Sequence, residues 1–159
     1  MSTEMLSGIR DLKDRCRCLS NVQHRATRMV PALRSLTYEQ RLRHLDLSSL
    51  VYRRFRGDSI EVYKYLHGLY EIDNSNFLPL HTSVGMATRG HSLKLLKKQC
   101  STNLRRNFFT LRVVNTWNSM PEEIVRSTSV NCFKGRFDRF WCHLRYETDE
   151  NKVLAPALR

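Results

Sequence analysis

The carboxylates of this 159-residue chain are not arranged like the metal ligands of a phosphoryl-transfer enzyme. Two-metal catalysis needs carboxylates that converge on a pair of cations. The chain has no two adjacent aspartates. Asp11 and Asp14 could share one helical turn, but they stand in an amino-terminal stretch with little apolar pattern. We interpret them as solvated acids near a helix end, and we predict no catalytic residue.

The cysteines and histidines also lack the spacing of a zinc site. Structural zinc is usually held by four clustered Cys or His ligands, often in Cys-x-x-Cys pairs. No such pair occurs, and the candidates form two unevenly spaced groups. These are Cys16, Cys18 and His24, and Cys132, Cys142 and His143. We predict reduced thiols, no metal and no cofactor. A Cys–His nucleophile stays open, because its partners would meet only in the fold.

Positive charge is the stronger chemical signal. The 27 Lys and Arg residues exceed the 15 Asp and Glu residues by 12, and the pI is about 10.0. The net charge is +7 in residues 1–56, −3 in 57–86, +7 in 87–120 and +1 in 121–159. No acid interrupts the third segment, so its seven cations cannot be neutralised locally. Such a segment needs solvent, distant acids or a polyanion, and nucleic acid is the usual polyanion.

We therefore predict that the cations of the acid-free segment, Ala87 to Met120, contact phosphates. The predicted contacts are Arg89, Lys94, Lys97, Lys98, Arg105, Arg106 and Arg112. Phosphate contacts carry no base information and weaken with salt, so neither RNA nor DNA is specified. Within this segment, Gly90 of "TRGHS" could let the backbone approach a phosphate while Arg89 supplies charge. An ordinary turn that leads into a strand explains the same residues equally well.

Apolar periodicity predicts a mainly α fold, a small domain of four to five helices that positions these cations. Val22, Ala26, Met29 and Val30 share one face of a first predicted helix, which Pro31 ends. Other helical signals recur along the chain. They are the Thr37–Gln40 capping-box spacing, a stripe from Leu47 to Leu66 that stops at Gly68, and a stripe from Val130 to Leu144 behind a Ser129 cap.

The stretch "RRNFFTLRVVNTWNSMP" (residues 105–121) is predicted to contain a core helix. Phe108, Leu111, Val114 and Trp117 recur every three residues, so we interpret these aromatic rings as core rather than as platforms for bases. Upstream of it, weak alternation at Ser92–Leu95 predicts a minor β-hairpin or short-strand element around residues 91–106. The predicted organisation is a variable segment 1–18, a single helical domain 19–146 and a frayed tail 147–159.

Cellular location is predicted only coarsely. The chain has no run of 18 apolar residues and no amino-terminal stretch of signal-peptide character. We expect a protein that makes no membrane contact and is not secreted. It would be intracellular, either nuclear or cytoplasmic, with the nucleus slightly favoured.

Four blocks of the chain resemble, in order and spacing, the segment that follows the polymerase region in non-LTR (LINE-type) retrotransposon reverse transcriptases, especially the jockey-like elements. The blocks are residues 22–69, "TRGHSLKLLKKQC" (88–100), "RRNFFTLRVVNTWNSMPEEIV" (105–125) and "SVNCFKGRFDRFW" (129–141). The resemblance covers about Leu19 to Trp141. It implies a helical tail that grips RNA or DNA beside an RNA-directed DNA polymerase, which is a second possible partner.

The chain departs from that family in lacking its catalytic core. The aromatic residue followed by paired aspartates is absent, so no catalytic residue carries over and no enzymatic activity is expected of this chain by itself. The chain is expected to correspond to the carboxy-terminal piece of such a protein, as a truncated element copy, a fragment or a domesticated remnant.

Three hypotheses for function follow. The first is a non-catalytic nucleic-acid-binding module. The second is a helical interaction module that docks on the polymerase body, or on an identical chain, through the stripe that contains Phe137, Phe140 and Trp141. Burial of these rings would remove the basis of the second hypothesis, and exposure would favour it. The third is a remnant without function.

Overall fold

The chain folds mainly into α-helices, as its periodicity predicted. The computed structural model describes residues 18–71, 77–81, 90–149 and 152–153. The helices are α1 (residues 18–28), α2 (Tyr38–His44), α3 (Leu50–Leu66), α4 (Asn103–Arg106), α5 (Phe109–Asn118), α6 (Glu122–Val125) and α7 (Val130–Phe140), with 3-10 turns at Pro31–Leu33 and Cys142–Leu144. Of these described helices, five have seven or more residues.

Local side chains set several helix ends. The Thr37 hydroxyl and the Gln40 amide form the predicted capping box at the start of α2. Ser129 caps α7 by accepting a hydrogen bond from the Cys132 N–H, also as predicted. Gly68, with a φ of 67°, ends α3, because a left-handed residue lets the following N–H groups turn back to the last carbonyls of the helix.

The core forms where α5 and α7 both pack on α3. Phe133 of α7 stacks on Tyr63 of α3 at 4.6 Å between ring centroids, and it lies 6.1 Å from the Trp117 ring of α5. The stripe predicted for α7 is largely confirmed, since Phe133, Phe137 and Trp141 are buried. The Tyr63 hydroxyl also donates to the Ser127 carbonyl at 2.6 Å, which ties α3 to the turn before α7.

The inward apolar face predicted for α1 is wrong. Val22 and Met29 are 64% and 75% exposed, whereas Thr27 on the opposite face is buried. The physical reason lies in α2, which presents the buried guanidinium of Arg41 to α1, and Thr27 accepts a hydrogen bond from its Nε at 3.2 Å. A buried polar group must be hydrogen-bonded, so the polar face of α1 turns inward.

The strand element predicted around residues 91–106 is not found. In the described parts of the chain, the β structure is one isolated antiparallel bridge between Leu80 and Leu95. The Asn118 side chain of α5 occupies both main-chain groups of Leu95, accepting from its N–H at 2.8 Å and donating to its carbonyl at 2.9 Å. A helix side chain thus occupies main-chain groups that a hairpin ladder would use, and α4 takes the end of the range.

The chain termini are described only in part. Of the predicted variable segment 1–18, only Cys18 is described, and of the predicted frayed tail 147–159, residues 147–149 and 152–153 are. Val153 is buried, and its N–H donates to the Asp149 carbonyl. In the part of the chain that the structure describes, no helix combines the length and apolar character needed to cross a membrane.

Candidate nucleic-acid interface

The acid-free segment is described from Gly90 onward, and it runs along α5. Asn118 holds Leu95 at the carboxyl end of α5, and the chain then returns through α4 to Phe109 at the amino end. The ten residues of α5 span about 15 Å. The cations between Leu95 and Phe109 therefore occupy a connection that covers a distance of this order.

His91 anchors the start of this segment in the core. Its ring is buried and makes an edge-to-face contact with the Trp117 indole. In the neutral form its Nε2 donates to the Trp117 carbonyl at 2.9 Å. Burial lowers the pKa of His91 below its ordinary value, because the imidazolium is poorly solvated there. The Trp117 indole N–H in turn donates to the Leu93 carbonyl at 2.7 Å. His91 is thus a structural anchor in this segment.

A carboxylate binds the described end of "TRGHS", which is Gly90 to Ser92. The Ser92 N–H and hydroxyl donate to the two Glu122 oxygens at 2.9 and 3.1 Å, and Arg126 donates to the Ser92 hydroxyl oxygen. The Ser92 N–H is the main cause of the lowered pKa of Glu122. Glu122 already occupies the donors that a phosphate would use, so the contacts favour the ordinary turn over a phosphate-binding turn.

Four of the seven predicted phosphate contacts are exposed on this connection. They are Lys97, Lys98, Arg105 and Arg106. Within the described ranges, no ion pair or hydrogen bond joins any of these four side chains to another residue. The structure therefore leaves four cations facing solvent between the two ends of α5.

Cations elsewhere are commonly paired with acids. Arg56 donates to both oxygens of Asp138 at 2.6 and 2.8 Å, and Lys64 pairs with Glu61 at 2.8 Å. Burial acts to raise the pKa of Asp138, but hydrogen bonds from Arg56 and Tyr52 outweigh it and hold this pKa below its ordinary value. Acids neutralise the cations at these places. The four exposed cations of the acid-free segment have no such partner among the described residues.

The other three predicted phosphate contacts, Arg112, Lys94 and Arg89, are not part of this exposed group. Arg112 donates from Nε and Nη2 to the two Asp58 oxygens at 2.7 and 2.8 Å and from Nη1 to the Asn107 carbonyl at 3.0 Å. This forked ion pair joins α5 to α3, so its guanidinium is committed to the fold. Lys94 is half-buried over Gly90, whose φ is 115°, and Arg89 lies outside the described residues.

The periodicity predicted burial for one aromatic residue of the segment, Phe108, and this prediction is wrong. Phe108 is 61% exposed, whereas Val113, Val114 and Trp117 of the helix that follows it are buried. Phe108 precedes α5 as its N-cap, with a ψ of 144°, so it stands outside the helical register that predicted its burial.

The described residues contain no candidate metal site. No group of three or more His, Cys, Asp or Glu side chains there is close enough to hold an ion. The described cysteines, Cys18, Cys100, Cys132 and Cys142, are free thiols. Cys16 lies outside the described residues.

Comparison of the chain with protein-family models, with curated proteins and with solved structures gives no match.

Proposed function

We propose that this chain is a non-catalytic nucleic-acid-binding module that grips the phosphates of RNA or DNA. The observation that carries the proposal is the group of four exposed cations on the acid-free connection along α5, which pair with no acid among the described residues. We call this group, Lys97, Lys98, Arg105 and Arg106, the basic connection. A polyanion would supply the counter-charge that Asp138 and Glu61 supply to Arg56 and Lys64.

The position of the basic connection also supports the proposal. It is tied at one end by Asn118 to the main chain of Leu95, and it leads at the other end into α5. A connection that is already fixed at both ends loses little conformational entropy when it binds. Less of the favourable electrostatic free energy of binding is therefore offset. The proposed role agrees with the resemblance to the tail of a non-LTR retrotransposon reverse transcriptase, in which this chain would hold nucleic acid near a polymerase.

The test is binding of the purified chain to labelled single-stranded RNA, single-stranded DNA and duplex DNA across a salt series. We expect log affinity to fall linearly with log salt, because bound cations release condensed counterions. Changing Lys97, Lys98, Arg105 and Arg106 to Gln should weaken binding and reduce the single-strand slope by about 3, since each phosphate contact contributes about 0.7.

A matched control removes the same number of charges elsewhere. Arg25, Arg28, Arg34 and Arg139 are also exposed, on other elements. Their change to Gln should lower the slope much less. An equal effect of the two quadruple variants would contradict the placement on the basic connection and favour diffuse attraction to the whole basic surface. Absence of binding at low salt by the folded chain would refute the function itself.

A protein-interaction module, docked on a polymerase body or on an identical chain, is the second candidate. Phe137 and Trp141 are buried within the chain, so docking through the stripe of α7 loses its basis, although Phe140 is partly exposed. The outward apolar residues Val22 and Met29 on and beside α1 are the specific observation that still favours this function. Light scattering at increasing chain concentration tests it for an identical partner. A chain with neither activity would be the functionless remnant.

A further inference from the structure

Phe108 is an exposed aromatic ring that closely follows the cations of the basic connection in sequence. It follows Arg105 and Arg106 by three and two residues, and its N–H donates to the Arg105 carbonyl at 3.1 Å. The ring is 61% exposed, whereas the next residue, Phe109, is half-buried and stacks on Phe77. An apolar ring held in solvent beside two arginines has lost most of the benefit of burial, which calls for another explanation.

Helix formation does not supply that explanation. The helices α2, α3 and α7 each begin behind a hydroxyl side chain, Thr37, Ser49 or Ser129, that accepts a hydrogen bond from a first-turn N–H. Phe108 stands at the equivalent position of α5 and makes no such bond. Aromatic residues are poor in this position, where Ser, Thr, Asp and Asn are preferred. The ring is therefore kept at a place where the local structure alone would favour a polar residue.

We propose that the Phe108 ring is a stacking platform for an unpaired base, and that the ligand of the basic connection is consequently single-stranded nucleic acid. This inference rests on the proposed function. Arg105 and Arg106 would hold the phosphates on either side of the nucleotide whose base lies on the ring. Bases have a π-face regardless of their identity, so such stacking tolerates sequence variation and agrees with phosphate contacts that read no sequence.

The preference for single strands follows from what a duplex lacks. In a duplex the bases are already stacked and paired inside the helix, and their faces are not available to a protein ring. In a single strand the bases can turn outward and stack on an aromatic side chain. Phe108 should therefore contribute to single-strand affinity and leave duplex affinity unaffected, whereas the four cations contribute to both.

The experiment measures binding of the full chain to a labelled single-stranded RNA and to the same RNA annealed to its complement, at one low salt concentration. Phe108→Ala should lower single-strand affinity about fivefold to a hundredfold, which corresponds to the usual contribution of one stacked base, and should not change duplex affinity. Phe108→Leu keeps apolar bulk without an aromatic face and should show the same loss. Phe108→Trp should restore or exceed wild-type affinity, and its indole fluorescence should be quenched on binding.

Phe140→Ala is the matched control, since Phe140 is also partly exposed but lies at the end of α7, which packs on α3 and α6. It should leave both affinities unchanged. Equal loss of single-strand and duplex affinity in Phe108→Ala, or no loss in either, overturns the stacking inference and leaves the phosphate-binding function standing. Absence of binding by the wild-type chain overturns both. Phe108→Leu decides the question if Phe108→Ala fails to fold.

Discussion

At the scale of single residues, neighbouring side chains decide what each charged or aromatic group is free to do. Arg106 and Arg112 are six positions apart in the same acid-free segment, yet Arg112 is held by Asp58 of α3 and Arg106 faces solvent. His91 lies in the same segment and is buried on Trp117. The role of a residue therefore cannot be assigned from its type or its segment alone. It depends on the contacts that its side chain makes in the fold.

The buried His91 makes stability depend on pH. Its pKa is near 6.5 in the unfolded chain and lower in the folded one, so the unfolded chain binds more protons as pH falls. The stability contributed by neutral His91 is thus fully present above about pH 6.5 and is lost at lower pH, by up to about 1.4 kcal/mol for each unit of pKa difference. Urea unfolding at pH 7.5 and 5.5, values chosen about one unit on each side of that pKa, measures this loss.

The variant His91→Gln keeps an N–H donor for the Trp117 carbonyl and removes the titration. It should lose less stability between the two pH values than wild type does. A residual loss is expected from His24, whose pKa is also lowered, chiefly by burial and then by Arg41. A slope in His91→Gln as steep as in wild type would exclude His91 as its source, and His24 would be next to test.

At the scale of elements, local signals set where helices begin and end, but not which face they bury. The capping box at Thr37, the Ser129 cap and the glycine stop act within four residues, so the sequence predicts them directly. The orientation of α1 depends instead on Arg41, a buried cation fourteen positions after Thr27. Similarly, the β pairing of residues 93–95 is limited in the described chain to the bridge with Leu80, and α5 side chains bind the main-chain groups of Leu93 and Leu95.

The inverted orientation of α1 predicts unequal effects of substitutions on its two faces. Val22→Ser should change the free energy of unfolding by less than about 0.5 kcal/mol, because Val22 is exposed. Thr27→Val should cost about 1–3 kcal/mol, because it removes the oxygen that accepts a hydrogen bond from the buried Arg41 side chain. Denaturant unfolding of both variants makes the comparison, and a larger loss for Val22→Ser would restore the orientation that the periodicity predicted.

At the scale of the whole molecule, a shared aromatic core joins three helices and leaves the basic connection on its surface. Phe133 contacts Tyr63 of α3 and Trp117 of α5, so one ring of α7 connects all three elements. His91 and Asn118 attach the acid-free segment to the same core, through Trp117 and the end of α5. The position of the four exposed cations therefore depends on the integrity of that core.

Truncation of Phe133 should destabilise the entire fold. Phe133→Ala removes a fully buried ring and should cost about 3–5 kcal/mol. Because α3, α5 and α7 share this ring, circular dichroism and Trp fluorescence should report one coincident unfolding transition at lower denaturant. Phe140→Ala, at a partly exposed ring of the same helix, should cost much less. Separate transitions by the two probes would show that α7 unfolds independently.

The sequence alone determined the helical class, the caps at Thr37 and Ser129, the stop at Gly68 and the absence of acids between Ala87 and Met120. Each of these depends on residue type or on neighbours within a few positions. The tertiary structure decided which face of α1 is buried and that the predicted strand element does not form. It also decided that Phe108 is exposed and that Arg112 binds Asp58 instead of joining the candidate interface. The reason is that such outcomes depend on pairings between distant residues: Arg112 meets Asp58 across 54 positions, and no local pattern specifies which acid neutralises which cation.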